Sequence, residues 1–193
     1  MICQEIHGKG GRKFGFLSLP PVGYFPSTKA LIPKNSEEIT ALVTRHNKEL
    51  SHALQILASQ LEGFKYSYTN LYNFITERMN NPLKYGMPYS HFHFQNIVFF
   101  NHRLKAFVIC LFYEGFKEGK MGCCGTGPYR GIPSCGGKKS VKEYELCGNA
   151  SEYLFFDSAH PSEKANEQLA KQLWNGNLDV TWPYNLKALF EHN

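Results

Sequence analysis

An aspartate and a histidine three residues apart, in Asp157-Ser158-Ala159-His160, follow the apolar run Tyr153-Leu154-Phe155-Phe156 and precede Pro161. The apolar run reads as a short buried strand, and proline at the head of the next segment opens a helix, so the pair sits in a strand-to-helix turn. In such a turn both side chains can point the same way. The carboxylate then accepts the Nδ1 proton of the imidazole and leaves Nε2 free to take a proton from a hydroxyl, which is how a serine is made nucleophilic. The plainer alternative is an aspartate that caps the following helix beside a surface histidine.

Four of the six cysteines, Cys123, Cys124, Cys135 and Cys147, fall in one glycine-rich stretch. Structural zinc sites use cysteines two to four residues apart, and adjacent cysteines rarely share one ion. Disulfides are therefore favoured over a metal, with their connectivity open; Cys3 and Cys110 are left over. His91 and His93 form a possible metal pair, but no third ligand stands close to them in sequence. Asn149-Ala150-Ser151 is a glycosylation sequon if the chain is secreted and a simple turn if it is not.

The elements that must position these residues follow from periodicity. Ile2 to Lys9 reads as the last turns of a helix stopped by Gly10-Gly11, and Lys13 to Leu19 as a strand. Leu19-Pro20-Pro21-Val22-Gly23-Tyr24-Phe25-Pro26 must leave that strand as a loop, because proline offers no ladder donor. At the carboxyl end of a strand such a loop borders the ligand crevice of an α/β sheet. Ile39, Leu42, Val43, Leu50, Leu54, Leu57 and Leu61 recur at three- and four-residue spacing and predict a helix from Ser36 to Glu62 with one face on a sheet. Asn35 with Glu38 predicts a capping box, and Gly63 the stop. Phe64 to Thr69 is the next strand, Asn70 to Asn80 the next helix, and Pro161 to Trp174 the last one. Strand, helix, strand, helix is the order of an α/β layered fold with parallel strands. From Met87 to Gly115 neither period survives, and Phe, Tyr and His crowd together.

Composition bounds the function. With 193 residues, 42% hydrophobic and 19% charged, the chain forms one globular domain or part of one. The net charge of +5 is spread along the chain without a basic run, which argues against nucleic acid as a partner. The longest apolar run, Ala106 to Tyr113, is far short of the roughly 20 residues a membrane helix needs. Six cysteines favour an oxidising compartment, yet Met1-Ile2-Cys3-Gln4-Glu5-Ile6-His7 has none of the features of a signal peptide.

Five segments, in order, resemble the plant GDSL esterase/lipase family: Gly11-Arg12-Lys13-Phe14 with Leu19-Pro20-Pro21-Val22-Gly23; His46-Asn47; Asn81-Pro82-Leu83-Lys84-Tyr85-Gly86; Cys123-Cys124-Gly125-Thr126-Gly127; and Phe156-Asp157-Ser158-Ala159-His160-Pro161. The resemblance covers most of the chain. It implies a partial three-layer α/β/α SGNH-hydrolase (flavodoxin-like) fold with parallel strands and the N-terminal strands missing, residues 1–193 being the C-terminal part of the hydrolase domain. It implies a carboxylic-ester hydrolase acting on acyl esters or lipids, secreted and using no cofactor, with Asp157 and His160 as two members of a Ser-His-Asp triad. The family's Gly-Asp-Ser motif, and the later motifs that complete the oxyanion hole, have no match in this chain, so the chain alone is expected to lack turnover and to expose a sheet edge. Deleting 87–115 would restore the family's text as Tyr-Gly-Phe-Lys-Glu-Gly, which marks that stretch as an atypical insertion, read as translated intron or a mis-set gene boundary, the competing reading being a real lid with a metal pair at His91 and His93. In the family a cysteine usually follows the glycine of Pro-Pro-x-Gly and pairs nearby; Tyr24 and Ser36 stand at those two places here. A non-catalytic binding or decoy paralogue and a metal-stapled module are the rival readings, and the oligomeric state is not legible.

Overall fold

The computed structural model describes residues 2–85 and 115–191. His91, His93, Cys110 and all of the aromatic-rich insertion except Gly115 lie outside the described residues. A short helix, α1 (Ile2–Gly8), is followed by strand β1 (Lys13–Leu17). The chain then turns through a 3-10 turn, Val22–Tyr24, into α2 (Pro26–Leu31), whose first residue is a proline at a position where its missing N–H has no partner to lose. A second 3-10 turn, Pro33–Asn35, leads into α3 (Ser36–Gln60). The expected capping box is absent there. Asn35 has φ −93° and ψ 2° and belongs to the 3-10 turn, so its side chain cannot fold back over the helix and meets only Glu38 Oε2 at 3.4 Å. Strand β2 (Lys65–Thr69) and helix α4 (Leu71–Asn80) follow, and the Asn70 side chain caps α4 by accepting the Asn73 N–H at 3.0 Å. The remainder is β3 (Glu118–Gly122), β4 (Cys124–Gly125), β5 (Glu145–Leu146), β6 (Tyr153–Phe155), α5 (Glu163–Asn175), β7 (Thr181–Pro183) and α6 (Leu186–Glu191).

The fold is mixed α/β with parallel strand pairs covered by helices. β1 and β2 run parallel, with Phe14 opposite Tyr66 and Phe16 opposite Tyr68, and α3 is the crossover between them. Alternation sends Phe14, Phe16, Tyr66, Tyr68 and Trp182 to one face, where Leu54 and Leu57 of α3 complete a core. The other face meets α6, with Leu186 close against Gly15. Helix, sheet and helix are thus three layers. β7 departs from the parallel expectation: it joins the far edge of β2 antiparallel, fixed by the buried Thr69–Thr181 hydroxyl contact at 3.0 Å. β1 has no second neighbour among the described residues, and Leu17 is 45% exposed, so this edge of the sheet is open.

The expected apolar face of α3 is buried only in part. Its 25 residues span about 37 Å against about 17 Å for a five-residue strand, so the helix outruns its sheet and Leu42 is 61% exposed. A second core gathers Phe74, Ile75 and Met79 of α4 with Phe116, Phe155, Phe25 and Ala165 around the parallel pair β3 and β6. Arg78 ties α4 to α5 through Gln168 Oε1 at 2.8 Å, its guanidinium stacked 3.4 Å from the Phe74 ring centre. Burial pushes that guanidinium down to about 10. The two sides of the undescribed stretch meet, since the Phe116 N–H donates to the Pro82 carbonyl at 3.0 Å. Among the described residues no helix is long and apolar enough to cross a membrane.

Candidate active site

Asp157 and His160 lie in a turn that leaves β6 and folds back on it. The Phe156 N–H donates to the His160 carbonyl and the Ser162 N–H to the Leu154 carbonyl, each at 2.8 Å, and Phe155 bridges Pro161. Ser162, buried, caps α5 by accepting the Ala165 N–H at 3.3 Å, so the helix begins two residues later than Pro161 suggested. Asp157 is therefore not the cap of α5. Its Oδ1 accepts the N–H groups of Ala159 and His160, each at 2.9 Å, and both its oxygens lie 2.9 Å from His160 Nδ1. One carboxylate holds both the turn and the ring.

Burial alone would raise the Asp157 carboxyl, but the two N–H donors and the imidazole outweigh it and hold the group below the ordinary carboxylate value. It is ionised at neutral pH. The His160 side chain is 78% exposed, against 25% for Asp157, and no described hydroxyl hydrogen-bonds its Nε2. With Nδ1 facing a carboxylate, the proton belongs there and Nε2 carries the lone pair.

Three neighbouring segments seat this turn. Cys123 and Cys124 donate their N–H groups to the carbonyls of Phe155 and Phe156 at 3.0 and 2.7 Å, so the cysteine motif runs beside the strand exit. The two thiols form different disulfides, Cys123–Cys147 and Cys124–Cys135, across separations of 24 and 11 residues. The first residues of α2 dock on the turn through the Ser27 N–H, which donates to the Ser158 carbonyl at 2.9 Å. Gly131, after the 3-10 turn Pro128–Arg130, presses on α2 so closely that a Cβ would lie 2.0 Å from the Pro26 carbonyl oxygen. The turn itself holds Tyr129 and Arg130 at φ 57° and 48°, left-handed values unusual for residues with a Cβ. Arg130 is anchored by Nε and a terminal nitrogen to Glu145 Oε2 at 3.0 and 2.9 Å.

The remaining quoted motifs gain physical reasons. Asn47 clamps the start of the proline loop, its Oδ1 accepting the Leu19 N–H at 2.8 Å and its Nδ2 donating to the Leu19 carbonyl at 2.9 Å. The Ser36 hydroxyl donates to the Gly23 carbonyl, so Ser36 does sit beside the Tyr24 loop where the resemblance put it. Gly23 admits no side chain, since a Cβ would lie 2.3 Å from Thr40 Oγ1. Asn149 of the sequon is exposed and its side chain accepts the Ser151 N–H at 3.0 Å. The docking of α2 on Ser158 and the Arg130–Glu145 pair had no sequence signal, because neither involves a periodic pattern or a turn-forming residue type.

The layered sheet and the carboxylate–imidazole turn at a strand exit define a mixed α/β protein with an acid–imidazole pair at the end of a strand. The GDSL-like Lipase/Acylhydrolase family model matches residues 2–173, and the chain belongs to that family. GDSL esterase/lipase 1 and GDSL esterase/lipase 2 of Arabidopsis thaliana are 39% and 40% identical over 197 aligned residues, which cover all of this chain and 45% of each relative. A GDSL lipase of Tanacetum cinerariifolium is 40% identical over 98% of this chain and 44% of its own length. The chain thus spans about 45% of the length of the curated relatives it matches, in their C-terminal portion.

Proposed function

We propose that the protein is a carboxylic-ester hydrolase of acyl esters or lipids in which Asp157 and His160 are the acid and base of a Ser-His-Asp triad. The observation that carries the reading is the contact of both Asp157 oxygens with His160 Nδ1 at 2.9 Å, with Nε2 left on the exposed side of the ring. His160 takes the proton of a serine hydroxyl as it attacks the ester carbonyl and returns it to the leaving alcohol. Asp157 fixes the tautomer and stabilises the imidazolium. The serine and the oxyanion donors come from the portion of the relatives that this chain does not span. The open edge of β1 is where a further strand of that portion would add. Residues 1–193 are then part of one hydrolase domain, and 87–115 is an insertion, a reading supported by the meeting of Pro82 and Phe116 on either side of it. Two disulfides support an extracellular location, where the Asn149 sequon would be glycosylated.

By this reading the 193-residue chain alone hydrolyses no short-chain nitrophenyl ester above the buffer rate. Put in place of the matching portion of GDSL esterase/lipase 1, it supports turnover that His160→Ala lowers by roughly 10³-fold or more. Turnover in the chimera that survives His160→Ala would overturn the assignment. A non-catalytic binding role is the second reading, favoured by the lack of a hydroxyl on Nε2 among the described residues; it requires that the correctly folded chimera stay inactive.

A further inference from the structure

Apart from the Asp157 turn, the structure holds a cavity of about 580 Å³ between α4, α2, β3 and the turn Pro128–Arg130. Helix α4 supplies its floor. Tyr72, Thr76 and Asn80 recur every four residues and face the cavity, while Phe74 and Ile75 of the same helix face the core. Tyr24, Tyr72 and Tyr129 line the cavity together with Lys29 and Lys120, and none of its described lining residues is acidic.

Two independent features separate this hollow from a chance gap. Tyr129, which lines it, has a left-handed backbone φ of 57° and is followed by a second left-handed residue, Arg130. That conformation is kept by the Arg130–Glu145 pair, by the Arg130 N–H bond to the Gly127 carbonyl at 3.0 Å and by the seating of Gly131 on Pro26. The second feature is the pairing of Lys29 and Lys120 among aromatic faces; the acid two residues before Lys120, Glu118, commits one carboxylate oxygen to the backbone N–H groups of Lys120 and Met121 at 2.7 and 3.1 Å. The Lys29 ammonium lies 5.1 Å from the centre of the Tyr24 ring, and no described residue that lines the cavity is acidic.

We propose that this cavity is a binding site for an aromatic carboxylate, with its ring packed among Tyr24, Tyr72 and Tyr129 and its acid group between Lys29 and Lys120. The volume suits an organic ligand of moderate size. Tyrosine rings supply flat contact area at little entropic cost, and two ammonium groups in a half-enclosed space select a charged oxygen pair over a neutral amide. The proposal stands apart from the Asp157–His160 reading, because it is tested by binding without turnover.

The test is calorimetric titration of the full chain with 2-naphthoate, 2-naphthamide and acetate. Saturable binding of 2-naphthoate is expected, at least about tenfold tighter than either comparison compound. Lys29→Met, Lys120→Met and Tyr129→Gly should each weaken it by about tenfold, the glycine keeping the left-handed backbone while removing the ring. Their circular dichroism should match that of the parent. No saturable binding, equal binding of the amide, equal binding of acetate, or variants that bind as tightly as the parent would each overturn the proposal.

Discussion

Replacing Asp157 separates what it does for the turn from what it does for the ring. Asp157→Ala removes the acceptor of two backbone N–H groups, those of Ala159 and His160, each held at 2.9 Å. A buried donor left bare costs about 1–3 kcal/mol, and the part-exposure of this turn lets water restore a fraction, so the loss should be about 2–3 kcal/mol. Asp157→Asn keeps an oxygen for both donors and should cost about 1 kcal/mol. His160→Ala removes a ring that is 78% exposed and should change stability by no more than about 0.5 kcal/mol. Urea unfolding at pH 7, read as midpoint shifts at constant slope, gives all three. The carboxyl is held below its unfolded value, so its contribution is fully present above the ordinary aspartate range and is lost as pH falls through the folded value. The parent's advantage over Asp157→Asn should therefore vanish in acid. A His160→Ala loss equal to that of Asp157→Ala would refute the reasoning, because the imidazole would then be holding the turn.

Opening the Cys124–Cys135 disulfide by serine substitution at both positions should lower stability by about 2.8 kcal/mol, and opening Cys123–Cys147 by about 3.4 kcal/mol, from loop separations of 11 and 24 residues; the same urea unfolding checks the order. Gly131→Ala drives a Cβ into the Pro26 carbonyl and should cost about 3 kcal/mol or more, whereas Gly148→Ala meets nothing within 4 Å and should stay within about 0.5 kcal/mol.

What the sequence revealed and what it concealed have separate physical causes. Helix α3 was legible because 25 residues repeat an apolar period several times over, while α2, six residues long, is too short to show one. The Asp157–His160 turn was legible because an apolar run stops at a polar pair and a proline. That its carboxylate caps its own turn, and leaves α5 to Ser162, is a matter of backbone direction that residue types do not encode. Spacing favoured disulfides over zinc for Cys123, Cys124, Cys135 and Cys147, yet the pairing depends on which side of β4 each adjacent cysteine faces. The exposure of Leu42 depends on the length of a sheet that α3 does not itself specify. β4, β5 and β7, two or three residues each, are defined by their partners alone. Tyr129 and Arg130 gave no sign of left-handed backbone because only glycine and asparagine advertise it.

The central claim is that Asp157 keeps the His160 proton on Nδ1 and leaves Nε2 as a free base. Long-range nitrogen–proton NMR of the imidazole at pH 9 reads this directly. The account predicts a protonated Nδ1 and a bare Nε2, shifting toward a protonated Nε2 in Asp157→Ala. A proton on Nε2 in the parent, or a tautomer indifferent to Asp157, would contradict it.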